Sequence, residues 1–259
     1  MSVKPKKHLG QHFLNDESVC QRMADLLVDH DEFQKVVEVG PGMGALTKYL
    51  LKSDKDIHVV EIDEESVDYL YENYPELRGK IHSRDFLKED LTALLQTDAF
   101  AVFGNFPYNI SSQILFKVLD YKDQVPFVVG MFQKEVAERV ASPPGSKKYG
   151  IISVLLQAYY DIEYLFTVDE DVFTPPPKVK SGVIQLTRNE VKTLPCNEQK
   201  FKTVVKTAFN QRRKTMRNSL KSLFSKDLEQ SEELTLMLQK RPEQLSVEEF
   251  IWITKQIDV

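Results

Sequence analysis

Four consecutive residues, Asn105-Phe106-Pro107-Tyr108, follow a short apolar run at 100–103 and combine groups that can hold a flat, amino-bearing base. The Asn105 side-chain oxygen and the Phe106 main-chain carbonyl can accept the two hydrogens of an exocyclic amine, while the Tyr108 ring offers a stacking face. Pro107 fixes its own φ and keeps Phe106 out of the helical region, so that carbonyl can point into a pocket. The same residue types also make ordinary turns after strands. A glycine loop upstream turns the reading toward chemistry.

That loop, Glu38-Val39-Gly40-Pro41-Gly42-Met43-Gly44, carries three glycines at alternate positions directly after a β-branched run. Such spacing lets the backbone turn tightly and approach a ligand, as in dinucleotide-binding loops, although the pattern is GxGxG rather than GxGxxG. Gly40 and Gly42 are the candidate cofactor-contacting glycines. Glu61 stands 21 residues after Gly40 at the end of the next apolar run, where a carboxylate can accept both hydroxyls of a ribose. Asp85 closes a third run and can accept the amino group of an adenine, with Phe86 beside it to cover the ring. Asn105 closes a fourth. Each acid alone could be a helix cap or a surface charge. Four successive strand ends bringing polar groups to one rim form the ligand crevice of an open α/β sheet.

Two cofactors suit a glycine loop with a ribose-binding acid: a nicotinamide dinucleotide and S-adenosyl-L-methionine. Hydride transfer needs a proton donor or acceptor near a carbonyl carbon, and no His, Lys or Tyr-x-x-x-Lys constellation follows the fourth run. Methyl transfer to a neutral amine asks for alignment of nucleophile, carbon and sulfur, and for acceptors on the amine hydrogens. The lone pair of an aniline-like amine is delocalised into its ring, and such acceptors favour the pyramidal form in which it is localised. The proton can leave afterwards to water, so no strong base is required.

The elements that must position these residues alternate along the chain. Strand signals over 36–39, 57–62, 81–84, 100–104 and 125–131 are separated by helical ones. The helices carry Leu46, Leu50 and Leu51; then Val67, Leu70 and Tyr71; then, with Ser111 as N-cap, Ile114, Leu115, Val118 and Leu119; a further helix spans 133–140. Late strands are expected over 160–167 and 182–187, joined across Thr174-Pro175-Pro176-Pro177. The alternation predicts an α/β fold, a mainly parallel sheet with helices on both faces. After Glu190 the pattern turns helical, which divides the chain into a domain of 1–190 and a small all-helical one of 191–259.

At 259 residues the chain can bury a core without disulfide staples, and no apolar run approaches the length of a membrane span. Cys20 and Cys196 form no metal-binding pair, and His8, His12, His30, His58 and His82 lack acidic or thiol partners at ligand spacing, so no metal is expected. The basic start lacks an apolar segment of the secretory kind, and a cytoplasmic location is expected. A net charge of −5 argues against a general polyanion binder, yet eight Lys or Arg and no Asp or Glu fall between Lys200 and Lys221. The stretch from Asp227 to Glu249 is acidic on balance.

Along almost its whole length the chain resembles the ribosomal RNA adenine dimethyltransferases, the KsgA family. The likeness is carried by Lys7-His8-Leu9-Gly10-Gln11-His12-Phe13-Leu14-Asn15-Asp16, by the Glu38–Gly44 loop and by Asn105-Phe106-Pro107-Tyr108-Asn109-Ile110-Ser111. It continues in Phe173-Thr174-Pro175-Pro176-Pro177-Lys178-Val179-Lys180-Ser181 and in Phe209-Asn210-Gln211-Arg212-Arg213-Lys214-Thr215-Met216-Arg217-Asn218-Ser219-Leu220. The middle three stretches also look like antibiotic-resistance methyltransferases acting on large-subunit RNA; the last run points to the small-subunit enzymes. The resemblance implies a Rossmann-like class I methyltransferase sheet with a small all-helical C-terminal domain. It implies S-adenosylmethionine as methyl donor and dimethylation of two adjacent adenosines near the 3′ end of small-subunit (16S) ribosomal RNA during 30S biogenesis. Family cofactor contacts fall on His12, Leu14, Gly40, Glu61, Asp85 and Asn105, and target-base contacts on Asn105, Phe106, Pro107 and Tyr108. His12 stands where Asn is usual and Phe106 where Leu is usual; the second matters little for a residue that acts through its carbonyl.

The target adenine has to be splayed out of its RNA and stacked, here on Tyr108. Arg212, Arg213, Lys214 and Arg217, with Lys178 and Lys180, are the residues expected to hold phosphates. The immature 30S particle is the expected partner, and the chain is expected to be a monomer. A DNA adenine methyltransferase could use the same Asn-x-Pro-Tyr logic, and a non-catalytic assembly or transcription factor could retain the fold. The latter sits badly with intact Glu61, Asp85 and Asn105.

Overall fold

The computed structural model describes residues 3–28, 30–224 and 231–257, so residues 227–230 of the acidic stretch lie outside the described residues. In chain order the strands are β1 (Phe13–Leu14), β2 (Lys35–Val39), β3 (Asp56–Glu61), β4 (Ile81–Ser83), β5 (Phe100–Asn105), β6 (Phe127–Gln133), β7 (Tyr160–Val168), β8 (Phe173–Thr174) and β9 (Ser181–Arg188). The helices are α1 (Glu17–Ala24), α2 (Thr47–Leu50), α3 (Glu64–Asn73), α4 (Leu91–Leu95), α5 (Ser111–Asp120) and α6 (Lys134–Ala141). They continue with α7 (Ile151–Gln157), α8 (Glu198–Asn210), α9 (Met216–Ser219), α10 (Glu232–Gln239) and α11 (Val247–Ile257).

Seven strands form one sheet in the order β4-β3-β2-β5-β6-β9-β7. It is parallel from β4 to β6, and β9 runs antiparallel to β6. Its central strands are near-continuous apolar runs because both faces are covered: Val36, Val37, Ala101, Val102, Phe103, Val128 and Val129 are all fully buried. The chain steps outward from β2 through β3 and β4, then returns to the far side of β2 to lay down β5. The carboxyl ends of β2 and β5 are therefore the switch point at which such sheets bind ligands.

Sequence periodicity does not reveal β1 and β8, two-residue strands that pair antiparallel as Phe13↔Thr174 and Leu14↔Phe173. Their pairing ties the N-terminal segment to the proline-rich loop. Asp16 caps α1 by accepting from the N–H groups of Ser18 and Val19, at 2.8 and 3.3 Å. Ser111 is not the N-cap of α5; Ile110 holds that position, and the Ser111 hydroxyl donates to the Tyr108 carbonyl at 3.1 Å. The helix expected through Val67, Leu70 and Tyr71 is α3, which buries Ser66, Val67 and Leu70 and leaves Tyr71 half exposed.

Packing divides the chain into two compact units. One runs through Ala137 and resumes over Glu163–Arg188; the other comprises Glu138–Ile162 and the chain from Asn189 onward. This differs from the division expected at 190/191, because α7 packs on α8 and α11. Within that second unit the Tyr149 ring meets Phe209 edge-on, with centroids 6.1 Å apart. Among the described residues no strand follows Arg188, no helix is long and apolar enough to cross a membrane, and no cluster of three His, Cys, Asp or Glu could hold a metal ion.

Candidate active site

A cavity of about 220 Å³ opens at the carboxyl ends of the parallel strands. His12, Leu14, Gly40, Glu61, Asp85, Phe86 and the run Asn105–Tyr108 all line it. On one side stand buried acids. Glu61, only 3% exposed, accepts the Gly42 N–H on one oxygen at 3.1 Å and the N–H groups of Ile62 and Asp63 on the other, at 2.8 and 2.9 Å. Burial pushes its carboxyl up, and these three N–H groups oppose the shift by favouring the charged form. A carboxylate offers about four acceptor positions, so Glu61 can still receive a ribose hydroxyl.

Gly42 does not line the cavity, contrary to expectation. Its N–H serves Glu61, its φ is +56°, and a Cβ there would lie 2.8 Å from the Phe13 ring. Asp85 lies two residues beyond β4, where it accepts the Leu87 N–H at 3.0 Å and pairs with Lys88 at 3.2 Å. Phe86 is buried and presents a ring to the cavity wall. Two participants escaped the sequence reading. Glu38, 2% exposed, is the penultimate residue of β2 beside the cavity and accepts the Thr47 hydroxyl at 2.6 Å. Burial pushes its carboxyl up to about 8, with Thr47 opposing and the charge of Glu61 adding to the rise. Its signal was an acid inside an otherwise apolar run. Tyr74 lies outside every motif; its hydroxyl donates to the carbonyls of Met43 and Gly44, at 3.2 and 3.0 Å, and so holds the glycine loop.

The other side of the cavity is built from Asn105–Tyr108. The Asn105 amide donates through Nδ2 to the His12 carbonyl at 3.0 Å, which leaves Oδ1 as the end that can accept from a ligand. Phe106 donates its N–H to Met131 at 3.1 Å and turns its ring into the core, edge-on to Phe132. Space for that ring comes from Gly130, where a Cβ would sit 2.3 Å from it. A ring in place of a smaller side chain is therefore accommodated away from the cavity. Tyr108 is half-buried; its hydroxyl bonds Ser181 Oγ at 2.6 Å, and its ring is stacked with that of His12 at 5.3 Å. Burial raises the Tyr108 phenol, with the Ser181 bond opposing.

Residues 2–258 match the model of the ribosomal RNA adenine dimethylase family. The chain belongs to this family. A relative from Parabacteroides distasonis named ribosomal RNA small subunit methyltransferase A is 61% identical over 254 residues, 97% of this chain and 93% of that one. A relative of the same name from Flavobacterium johnsoniae is 59% identical over 256 residues, covering 99% and 97%. Among solved structures, a dimethyladenosine transferase from Plasmodium falciparum is similar with a TM-score of 0.75 at 22% identity, covering 95% of this chain and 96% of that one. The 23S rRNA methyltransferase ErmE follows with a TM-score of 0.69 at 23% identity, covering 93% and 99%. These likenesses establish a Rossmann-like class I methyltransferase fold with a helical C-terminal part.

The run 209–220 is partly buried and partly exposed. Much of it packs: Met216, Ser219 and Leu220 are buried, and Phe209 stacks on Phe250 with centroids 5.9 Å apart. Arg212, expected at the RNA surface, is engaged within its own unit. Its guanidinium donates to the carbonyls of Lys147 and Ser146, at 2.6 and 3.4 Å, and approaches Glu243 at 3.7 Å. Arg213, Lys214 and Arg217 are exposed, as are Lys178 and Lys180 in the first unit. Lys180 is paired with Asp169 at 2.6 Å.

Proposed function

We propose that this protein transfers methyl groups from S-adenosylmethionine to the N6 amines of two adjacent adenosines near the 3′ end of small-subunit (16S) ribosomal RNA, during assembly of the 30S particle. It acts as a monomer in the cytoplasm, on the immature particle. The observation that carries this reading is the orientation of Asn105, whose donor end is tied to His12 and whose oxygen is left for the hydrogens of an amine. Family membership and the shared name of the high-identity relatives support ribosomal RNA as the substrate.

The cavity suits a nucleoside donor. Glu61 and Asp85 place carboxyl acceptors in it for hydroxyl and amino groups, and Ile62, Phe86 and Leu87 add apolar walls. The donor, when bound, supplies a methyl carbon activated by its sulfonium. Everything else is asked of the protein. Asn105 Oδ1 and the Phe106 carbonyl accept the amine hydrogens and localise the nitrogen lone pair, while Tyr108 holds the ring plane. The amine so held would take the methyl group from the donor that Glu61 and Asp85 would bind, and its proton would then pass to water. Arg213, Lys214, Arg217 and Lys178 hold phosphates without reading sequence.

The test is methyl incorporation into 30S particles from cells lacking this gene, followed by mass spectrometry of the RNA, with duplex DNA as a parallel substrate. Dimethyladenosine at two neighbouring positions near the 3′ end is the expected product. Methylated DNA with unmodified particles would sink the reading in favour of a DNA enzyme.

A further inference from the structure

We propose that Asp63 is a positioning residue for cofactor binding: it latches the strap Lys6–His12 across the cavity before the cofactor arrives. The inference rests on the reading of this cavity as the S-adenosylmethionine site. Leu9, Gly10, Gln11 and His12 line the cavity, whereas Lys6 and Asp63 do not. Yet the strap is fastened through those two. Lys6 Nζ pairs with one oxygen of Asp63 and approaches Glu65 at 3.2 Å, and Gln11 Nε2 donates to the other Asp63 oxygen at 3.0 Å. The Lys6 N–H in turn donates to Gln11 Oε1 at 2.8 Å, which holds the Gln11 amide with its donor end toward the acid. At the far end of the strap the His12 carbonyl accepts the Asn105 amide at 3.0 Å. The strap therefore spans from the end of the strand that carries Glu61 to the end of the strand that carries Asn105.

Asp63 is itself rigidly placed. It is 2% exposed, accepts the Ser66 hydroxyl at 3.0 Å and the Glu65 N–H at 3.3 Å, and donates its own N–H to Glu61 at 2.9 Å. Burial pushes its carboxyl up, but the bonds from Gln11, Lys6 and Ser66 outweigh this and hold it below the ordinary value. A buried carboxylate stripped of its donors is costly, so Asp63 favours the fastened strap. That ordering bears on affinity. A segment that has to be ordered at binding weakens the apparent affinity by the fraction of molecules in which it is already in place. Once the cofactor fills the cavity, the step at Asn105 no longer depends on the latch.

The experiment uses the full chain. Calorimetry gives the Kd of S-adenosylmethionine, turnover on undermethylated 30S particles at saturating cofactor gives kcat, and thermal melting checks folding. Lys6→Met opens the latch from the strap side without touching the start of α3. It should raise the cofactor Kd about tenfold, the loss of a hydrogen bond to a charged group, and leave kcat within about twofold of wild type. Asp63→Asn should raise Kd at least as much. Combining the two should be no worse than Asp63→Asn alone, because both break one latch. Lys7→Met removes the same charge at an exposed neighbour and should leave the cofactor Kd unchanged. The proposal falls if Lys6→Met binds the cofactor like wild type, if Lys7→Met weakens binding as much, if kcat drops in step with affinity, or if the two losses multiply in the double variant. The Lys6-against-Lys7 comparison decides the matter even where Asp63→Asn melts early. A wild type that does not bind S-adenosylmethionine brings down the reading of the cavity, and this proposal with it. A binding wild type with an equally tight Lys6→Met brings down this proposal alone.

Discussion

The two sides of the cavity are held by different means. On the acid side, Glu61 is fixed by three N–H groups of the strand end and glycine loop that flank it, and Glu38 by one hydroxyl in the next helix. On the base side, Asn105 and Tyr108 are fixed by residues remote in sequence: His12, Pro175 through His12, and Ser181. The acid side is thus a property of β2, β3 and their turns. The base side exists only once the N-terminal segment and the proline-rich loop have paired through β1 and β8. Binding a cofactor and orienting a base should accordingly be separable by substitution.

The largest separation is expected at Asn105. Removing an oriented acceptor of the reacting amine, as in Asn105→Ala, should lower turnover on 30S particles by about 10²–10³-fold, on the order of 3–4 kcal/mol in the barrier. The cofactor Kd should move far less. Glu61→Gln should do the reverse, weakening cofactor binding about tenfold while turnover at saturating cofactor stays near wild type. Single-turnover kinetics beside calorimetry would read both. Parallel losses in the two variants would erase the contrast between the sides.

The same contrast explains what could be read from the chain. Val36–Val39, the run ending at Glu61 and the run ending at Asn105 announce themselves because parallel strands buried on both faces must be continuously apolar. The polar residues that close the second and fourth runs, Glu61 and Asn105, then stand out, as does Asp85 after the third, and so the acid side was legible through Glu61 and Asp85. Glu38 was passed over because its acid lies within the apolar run instead of after it. Gly42 was read as a ligand contact, yet its missing Cβ leaves room for Phe13. The base side was legible as a motif but not as a geometry, since two-residue strands carry no period and stacking of His12 on Tyr108 is a tertiary event. The segment 138–162 was expected in the first domain and packs with the helical unit, for a related reason. Ile152, Val154, Leu155 and Leu156 are buried within the helical unit, and apolar content alone does not name a partner.

Glu38 offers a sharper test of the acid side. Its carboxyl is raised in the folded chain from 4.5 to about 8, so the folded state binds more protons between those values than the unfolded state does. Stability from this group is complete below pH 4.5 and is lost as pH rises through about 8. Glu38→Gln keeps an acceptor for Thr47 and removes the titration. The variant should match wild type near pH 4.5 and exceed it by about 4 kcal/mol by pH 8, measured by denaturant melts across pH. A difference constant with pH would mean that Glu38 is already ionised in the fold.

The smallest effects concern the basic run, where tied and exposed cations stand side by side. Arg212→Ala removes a guanidinium that bonds the carbonyls of Lys147 and Ser146, and should cost about 1–2 kcal/mol in stability. Arg213→Ala and Lys214→Ala remove exposed cations, so each should leave stability within about 0.5 kcal/mol. Their effect should appear instead in RNA binding, as a uniform weakening with the salt slope reduced by about one per residue. Changing all three together would mix a folding defect with a binding defect, which is why the single variants are the informative ones. If Arg212→Ala melts like wild type and loses RNA with the same change in slope as Lys214→Ala, its ties to the 146–147 backbone give way when RNA binds. The whole run would then face phosphate.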